Sequence, residues 1–137
     1  MKKGLLTVVL IFWGLAAGAV TENVRVDYQL TVAGKKVPSS AFEMPFGEEK
    51  IIQFAPQRVK TNKGLKTVNY LKVHPVEGFS DDNSRILLKM ELGYFSQNNS
   101  EVLSTPQVVA GNNKEAEISV GEKEEWFRLK VAPSVAR

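Results

Sequence analysis

Cysteine is absent from this 137-residue chain, and histidine occurs once. The missing thiols exclude a disulfide framework, a thiolate zinc site, a cysteine nucleophile and a lipid anchor attached through cysteine. With His74 as the single imidazole, a zinc ion would depend on carboxylate ligands, which proteins seldom use alone for zinc. We therefore expect no metal and no cofactor, and we expect the hydrophobic core to stabilise the fold by itself.

The chain also lacks the short motifs that mark common catalytic sites. No serine lies in a Gly-x-Ser-x-Gly elbow, and no glycine-rich phosphate loop is present. Adjacent acids such as Glu124 and Glu125 would point to opposite sides of a strand, which does not suit a cooperating acid and base. We predict that the protein is not an enzyme.

One acidic turn offers oxygen atoms that could hold calcium. Asp81, Asp82 and Asn83 follow Gly78, and Glu77 precedes it, but their spacing differs from that of an EF-hand loop. Asp and Asn also close β-turns by bonding to their own backbone. We favour a solvated β-turn without a metal.

The longest apolar run lies at the N-terminus. After two lysines, the residues from Gly4 to Val20 carry no charge, which is typical of a secretory signal peptide. Ala17 and Ala19 fit the small-residue rule for the cleavage site, so we predict cleavage between Ala19 and Val20. The run is at the short limit for spanning a bilayer. We expect a periplasmic or secreted protein with no stable membrane span after cleavage.

Cleavage of residues 1–19 would leave residues 20–137. Their length, and the 43% hydrophobic and 24% charged composition of the whole chain, indicate a single globular domain. The cleaved segment carries two lysines, so 16 basic residues would remain against 15 acidic ones. This near balance gives no reason to expect nucleic-acid binding.

Apolar and polar residues alternate through most of residues 20–137. In VRVDYQLTV, the apolar residues from Val24 to Val32 share one face, which predicts a half-buried strand. No stretch shows sustained helical spacing. Eight strands are predicted, near residues 24–32, 42–46, 50–54, 67–73, 86–92, 102–110, 116–120 and 126–131. We predict an all-β fold, either an antiparallel β-sandwich or a small open barrel of about 7–8 strands, with a meander in the C-terminal half.

Turn residues and prolines refine this prediction. Gly111, Asn112 and Asn113 can take the positive φ of a tight hairpin between QVVA and EAEISV, and Gly121 starts the next reversal. Proline cannot donate a hydrogen bond to a central ladder. Four prolines are therefore expected at sheet edges, bulges or strand starts: Pro38, Pro45, Pro56 and Pro106.

Residues 102–122, VLSTPQVVAGNNKEAEISVGE, resemble the part of bacterial secretins that runs from a Ser-x-Pro strand through an Asn-rich turn to a Glu-Ala-x-Ile-x-Val-Gly strand. LKVHP at 71–75 and LKVAP at 129–133 are similar to the strand that follows in that family, and residues 76–92 are similar to its acidic turn and next strand. Secretins are outer-membrane rings through which exported proteins or pili pass, and they carry further domains. The resemblance implies a secretin-like β-module detached from the pore, with a role in periplasmic binding or assembly and no catalytic residues.

Four large apolar side chains are candidates for partner binding. Phe42, Met44 and Phe46 lie in a proline-bounded segment that either packs into the core, which we favour, or leaves an apolar lip for a partner. Trp126 and Phe127 are adjacent, so one of them would point outward in a strand. An exposed Trp126 would be a good interface anchor.

Charge is unevenly distributed along the chain. Residues 50–72 contain six basic residues and no acidic one, whereas residues 101–125 contain six acidic residues and two lysines. The opposite charges could attract a charged partner or a second copy, or they could be solvated sheet faces, which we favour. The candidate basic patch consists of Arg58, Lys60, Lys63 and Lys66.

These observations predict an exported, non-enzymatic protein of the bacterial envelope that acts by binding. The expected partner is another envelope protein, engaged through an edge strand or the segment from Phe42 to Phe46. Two alternatives stay open: a homo-oligomer assembled through opposite charges, and an exported inhibitor or small-ligand carrier, which rests on fold analogy.

Overall fold

The structure is a computed structural model in which residues 22–121 and 125–136 are described. Nine strands form in these residues: β1 (Asn23–Val32), β2 (Lys35–Pro45), β3 (Lys50–Thr61), β4 (Gly64–Pro75), β5 (Arg85–Phe95), β6 (Ser100–Ser104), β7 (Gln107–Gly111), β8 (Ala116–Val120) and β9 (Phe127–Ala136). Over the same ranges, no helix has the length and apolar character needed to cross a membrane. The predicted signal peptide and its cleavage site lie outside the described residues.

The strands form two antiparallel sheets. The four-stranded sheet has the order β2-β1-β9-β8, and the five-stranded sheet has the order β3-β4-β5-β6, with β7 also paired to β5. The sheets do not close into a barrel and form a sandwich. The prediction of an all-β antiparallel sandwich is therefore confirmed.

The inward faces follow the alternation seen in the sequence. In β1, Val24, Val26, Leu30 and Val32 are at most 1% exposed, while Arg25 and its alternate neighbours face solvent. The same alternation buries the apolar face of β5 and of β9. Burial of one such aliphatic side chain contributes about 1.5–3 kcal/mol, so this core dominates the stability.

The chain between β6 and β7 differs from the prediction of one strand over residues 102–110. Thr105 and Pro106 interrupt it, and β5 pairs with β6 near one end and with β7 near the other. The N–H of Met90 donates to the carbonyl of Pro106 across the gap (2.9 Å). The interruption follows from proline, which has no N–H to donate to β5.

The hairpin predicted between QVVA and EAEISV is wrong. β7 pairs with β5, whereas β8 pairs with β9, so the turn after Gly111 carries the chain from one sheet to the other. Of the three expected turn residues, Asn113 has positive φ, at 64°. The N–H of Asn113 donates to the carbonyl of Pro133 (2.9 Å), and this bond attaches the turn to β9. The C-terminal meander is thus interrupted where β7 and β8 lie in different sheets.

The proline prediction is confirmed. β2 and β3 are edge strands and contain Pro38, Pro45 and Pro56, and Pro106 lies at the edge break described above. The pairing register also shifts in both strands, opposite Tyr28–Leu30 in β2 and between Gln53 and Gln57 in β3. Because β7 contacts β8 across the sandwich, β2 and β3 lie on the opposite flank.

Candidate functional site

β3 and β4 extend beyond the rest of the five-stranded sheet as a two-stranded ribbon. β4 pairs with β3 from Gly64 to Val73 but with β5 from Tyr70 to Pro75. Asn69 ends the pairing with β5, because its side-chain amide donates to the carbonyl of Phe95 (2.9 Å) and accepts from the N–H of Phe95 (3.1 Å). Residues 57–68 beyond this point are called the basic ribbon below.

The basic ribbon packs one face onto the end of the sandwich. Val59 and Val68 are 2% and 0% exposed and belong to the hydrophobic core. The register shift around Pro56 separates the ribbon from the rest of β3, and such bulges bend a strand and increase its twist. The other face of the ribbon is therefore free to meet solvent or a partner.

The exposed face of the basic ribbon concentrates positive charge. Arg58 and Lys60 lie on this face, and Lys63 lies at the tip, where the hydroxyl of Thr61 accepts from its N–H (3.1 Å). None of these three cations forms an ion pair with another described residue. Lys66 differs, because its Nζ lies 3.0 Å from the carboxylate of Glu101 on β6. Of the four predicted basic-patch residues, three thus keep their charge available.

A groove of about 560 Å³ separates the basic ribbon from the turn between β1 and β2. Leu65, opposite Lys60 in the register, is 56% exposed beside it. The groove is lined by Ala33, Gly34, Arg58, Val59, Lys60, Leu65, Glu125 and Trp126. Cations, an exposed leucine and an aromatic ring thus meet at one end of the sandwich.

Trp126 and Phe127 are both buried, so the expectation that one of them points outward is wrong. Their side chains are 7% and 1% exposed, and their ring centroids are 6.2 Å apart. Trp126 precedes β9, and its carbonyl accepts from the N–H of Ala33 (2.8 Å) while its own N–H donates to Val120 (3.0 Å). Strand alternation does not apply there, and Trp126 is a core residue at the groove rather than an exposed anchor.

The Glu125 carboxylate in the groove is engaged with Arg128. The guanidinium donates two hydrogen bonds to it, at 2.7 Å and 2.8 Å. These bonds lower the pKa of Glu125 below its ordinary value, and they raise that of Arg128. Glu125 therefore stays ionised near the basic ribbon without neutralising its three exposed cations.

The segment from Phe42 to Phe46 packs into the core rather than forming an apolar lip. Met44 and Phe46 are each 6% exposed and belong to the core cluster. Phe42 is half-buried, with its ring centroid 5.9 Å from that of Tyr28. Met44 and Phe46 are therefore not available as partner-binding surface, which corrects that alternative.

A second cluster lies on the outer face of the five-stranded sheet, and sequence reasoning missed it. The hydroxyl of Tyr70 donates to Glu91 (2.7 Å), and Lys72 Nζ lies 3.5 Å from Glu91 and 3.8 Å from Glu49. His74 Nδ1 lies 3.7 Å from the same Glu49 oxygen, which is too long for a strong hydrogen bond. These side chains are far apart in sequence, and the pairing of Lys72 with Glu91 across β4 and β5 brings them together.

The outer-face cluster has the properties of a hydrogen-bonded surface network. Burial raises the pKa of Tyr70 to about 12, helped by its hydrogen bond to Glu91 and by the charge of Glu91, so the phenol remains a donor at neutral pH. The adjoining groove of about 230 Å³ also contacts Thr105 and Gln107. Among residues 22–121 and 125–136, no group of three His, Cys, Asp or Glu side chains could hold a metal ion.

The acidic turn after Gly78 is closed by its own hydrogen bonds. The N–H of Ser84 donates to the Asp82 carboxylate (3.0 Å), which lowers the pKa of Asp82. Asn83 takes positive φ, at 55°, and its side-chain amide donates to Glu22 (3.0 Å). This geometry is that of the solvated β-turn favoured by the sequence.

Comparisons with known protein families, with characterised proteins and with solved structures find no match to this chain.

Proposed function

We propose that this protein is an exported, non-enzymatic envelope protein that binds an acidic surface of another protein through the basic ribbon. The observation that carries the proposal is the set of three exposed cations, Arg58, Lys60 and Lys63, that lack ion-pair partners among the described residues. They lie beside a groove and an exposed leucine, Leu65.

Charge and apolar contact would contribute differently to such binding. Exposed ion pairs contribute about 0–1 kcal/mol each, so the cations would mainly orient and accelerate the encounter. Leu65, which is 56% exposed, would supply apolar area that becomes buried on binding. This combination of a charged rim and an apolar contact is common at protein interfaces.

The secretin resemblance is consistent with this proposal and suggests where the partner acts. Residues 102–122 and the two LKVxP segments would make the chain a secretin-like β-module that assists an export machine by binding. The partner would then be a periplasmic component of that machine, reached after export of the chain.

The test is a photo-crosslinking experiment in the native cells. A photoreactive residue replaces Leu65, the adduct is identified by mass spectrometry, and the purified pair is then titrated by calorimetry. The variant R58Q/K60Q/K63Q is compared with the control K50Q/K89Q/K114Q, which removes the same charge from exposed positions outside the ribbon.

We expect wild type and control to give the same adduct, the ribbon variant to lose it, and the affinity to fall as salt rises. The proposal fails if no adduct forms, or if both variants reduce binding equally.

A further inference from the structure

β8 is an edge strand without the features that protect the other sheet edges. β2 and β3 each carry proline and a register shift, and the β6–β7 edge is interrupted at Pro106. β8 pairs with β9 in one unbroken register from Ala116 to Val120. Its sequence, AEISV, contains no proline, glycine or lysine. Edges of this kind accept another strand unless they are blocked.

The side chains of β8 leave an apolar strip half covered. Ala116, Ile118 and Val120 face the core but are only half-buried, while Glu117 and Ser119 are exposed on the outer face. An added strand would cover the three apolar side chains and pair the outward backbone groups of β8. The strip is about 17 Å long, so the contact would be small and reversible.

We propose that the occupant of this edge is β8 of a second copy, paired antiparallel about a two-fold axis at Ile118. In this arrangement Ile118 faces Ile118 of the second copy, and Ala116 faces its Val120. The two four-stranded sheets then become one continuous sheet of eight strands. The β8 edge lies on the flank opposite β3, so pairing through β8 leaves the basic ribbon of each copy uncovered. The dimer therefore presents two basic ribbons. This inference does not depend on what the ribbons bind.

Charge favours this register over the neighbouring one that places Glu117 on the axis. Directly opposed residues in an antiparallel pair lie on the same face of the sheet. A shift of one residue would therefore oppose apolar side chains of one copy to outward-facing side chains of the other, and only shifts of two residues keep the apolar side chains together. With the axis at Ile118, Glu117 faces Ser119 of the second copy, and no carboxylates oppose each other. Ser119 is itself opposite Arg128 on β9, which already contacts Glu125 and, at 3.6 Å, Glu117 of its own chain, so Glu117 of the second copy would share this cation with them. The shift that puts Glu117 on the axis would oppose two carboxylates.

A pair of substitutions at one exposed position tests the register. The protein is expressed from its full-length coding sequence, and dimer dissociation is measured by sedimentation equilibrium. Ser119→Glu places two glutamates opposite Glu117 residues, and we expect the dissociation constant to rise about tenfold. Ser119→Lys places two lysines opposite the Glu117 residues, and we expect the dissociation constant to fall. In the monomer residue 119 lies opposite Arg128, which already contacts Glu117 and Glu125, so urea unfolding of each variant at a concentration where it is monomeric separates a loss of monomer stability from a loss of dimer affinity.

Crosslinking tests the position of the axis independently. Because the chain has no native cysteine, Ile118→Cys introduces one thiol, and the two Cα atoms at the axis would be about 4.5–5.5 Å apart, within disulfide range. We expect mild oxidation to give a covalent dimer, whereas Val109→Cys on the opposite sheet should not. A wild type that stays monomeric at all protein concentrations, equal dissociation constants for the two Ser119 variants, or equal crosslinking of both thiols would each overturn the proposal.

Discussion

The ring of Tyr70 lies across Gly93, its direct partner on β5, on the outer face of the five-stranded sheet. A Cβ atom added at Gly93 would lie 2.8 Å from the Tyr70 hydroxyl and would overlap the carbonyl oxygen of Glu101 on β6. Glycine at this position therefore lets the Tyr70 hydroxyl reach Glu91 and lets β6 approach β5.

Gly93→Ala is expected to lower the free energy of unfolding by about 1–3 kcal/mol, because the Glu101 backbone cannot move aside without disturbing the β5–β6 pairing. Urea denaturation measures the change. Gly111→Ala is the control, since the atom nearest its added Cβ is the flexible Lys114 Cγ at 2.9 Å. Equal losses in the two variants would show that backbone crowding at Gly93 is not the cause.

The raised pKa of Tyr70 predicts that the folded protein loses stability at alkaline pH. Its pKa is raised from 10.0 in the unfolded chain to about 12 in the folded protein, so its contribution is complete below pH 10 and is lost as the pH rises toward 12. Wild type should be more stable than Tyr70→Phe below pH 10, and the difference should shrink between pH 10 and 12. Urea unfolding at a series of pH values measures it, and a constant difference would contradict the assignment.

Trp126 is expected to contribute as a core residue. Trp126→Ala should reduce the free energy of unfolding by about 3–5 kcal/mol, because the side chain is 7% exposed and packs against Phe127. Leu65→Ala, at the exposed rim of the same groove, should change it by less than about 0.5 kcal/mol. If thermal and urea unfolding show that the Trp126 variant is as stable as wild type, the placement of the Trp126 side chain in the core is incorrect.

The predicted signal peptide specifies a defined N-terminus for the mature protein. Intact-mass measurement of protein recovered from the periplasm or medium should give a chain beginning at Val20. Ala19→Arg places a large charged residue at the cleavage site, and it should leave the leader attached. Wild-type protein that retains Met1 to Ala19 would refute the signal-peptide prediction.

Inward faces and most strand positions could be predicted because they depend on local alternation, but β2 and β3 also include residues 35–41 and 55–61, which were not predicted as strand. The buried residues of β1 from Val24 to Val32 and those of β5 from Ile86 to Leu92 are the ones that a period of two indicates. Strand partners depend on distant contacts. The apparent hairpin at Gly111–Asn113 has suitable turn residues, but β7 satisfies its hydrogen bonds with β5 instead.

The candidate sites were predictable only in part for the same reason. Clustered cations in one segment predicted the basic patch, but the hairpin that carries it was not predicted, because the flanking strands were expected to end at residue 54 and to begin at residue 67. The burial of Trp126 depends on the turn at Ala33, more than ninety residues earlier in the chain. The contact of Glu91 with Tyr70 and Lys72 depends on the register between β4 and β5, which alternation alone does not specify.

β5 is covered along both edges by different parts of the chain. On one side it meets β4, the Asn69 side chain and the N–H of Val76, and on the other it meets β6, Pro106 and β7. Its amide hydrogens can therefore reach solvent only when most of the sheet opens, and hydrogen exchange there reports the global unfolding equilibrium. A destabilising change in either covering segment is transmitted to the same central strand, which couples the two halves of the polypeptide into one cooperative unit.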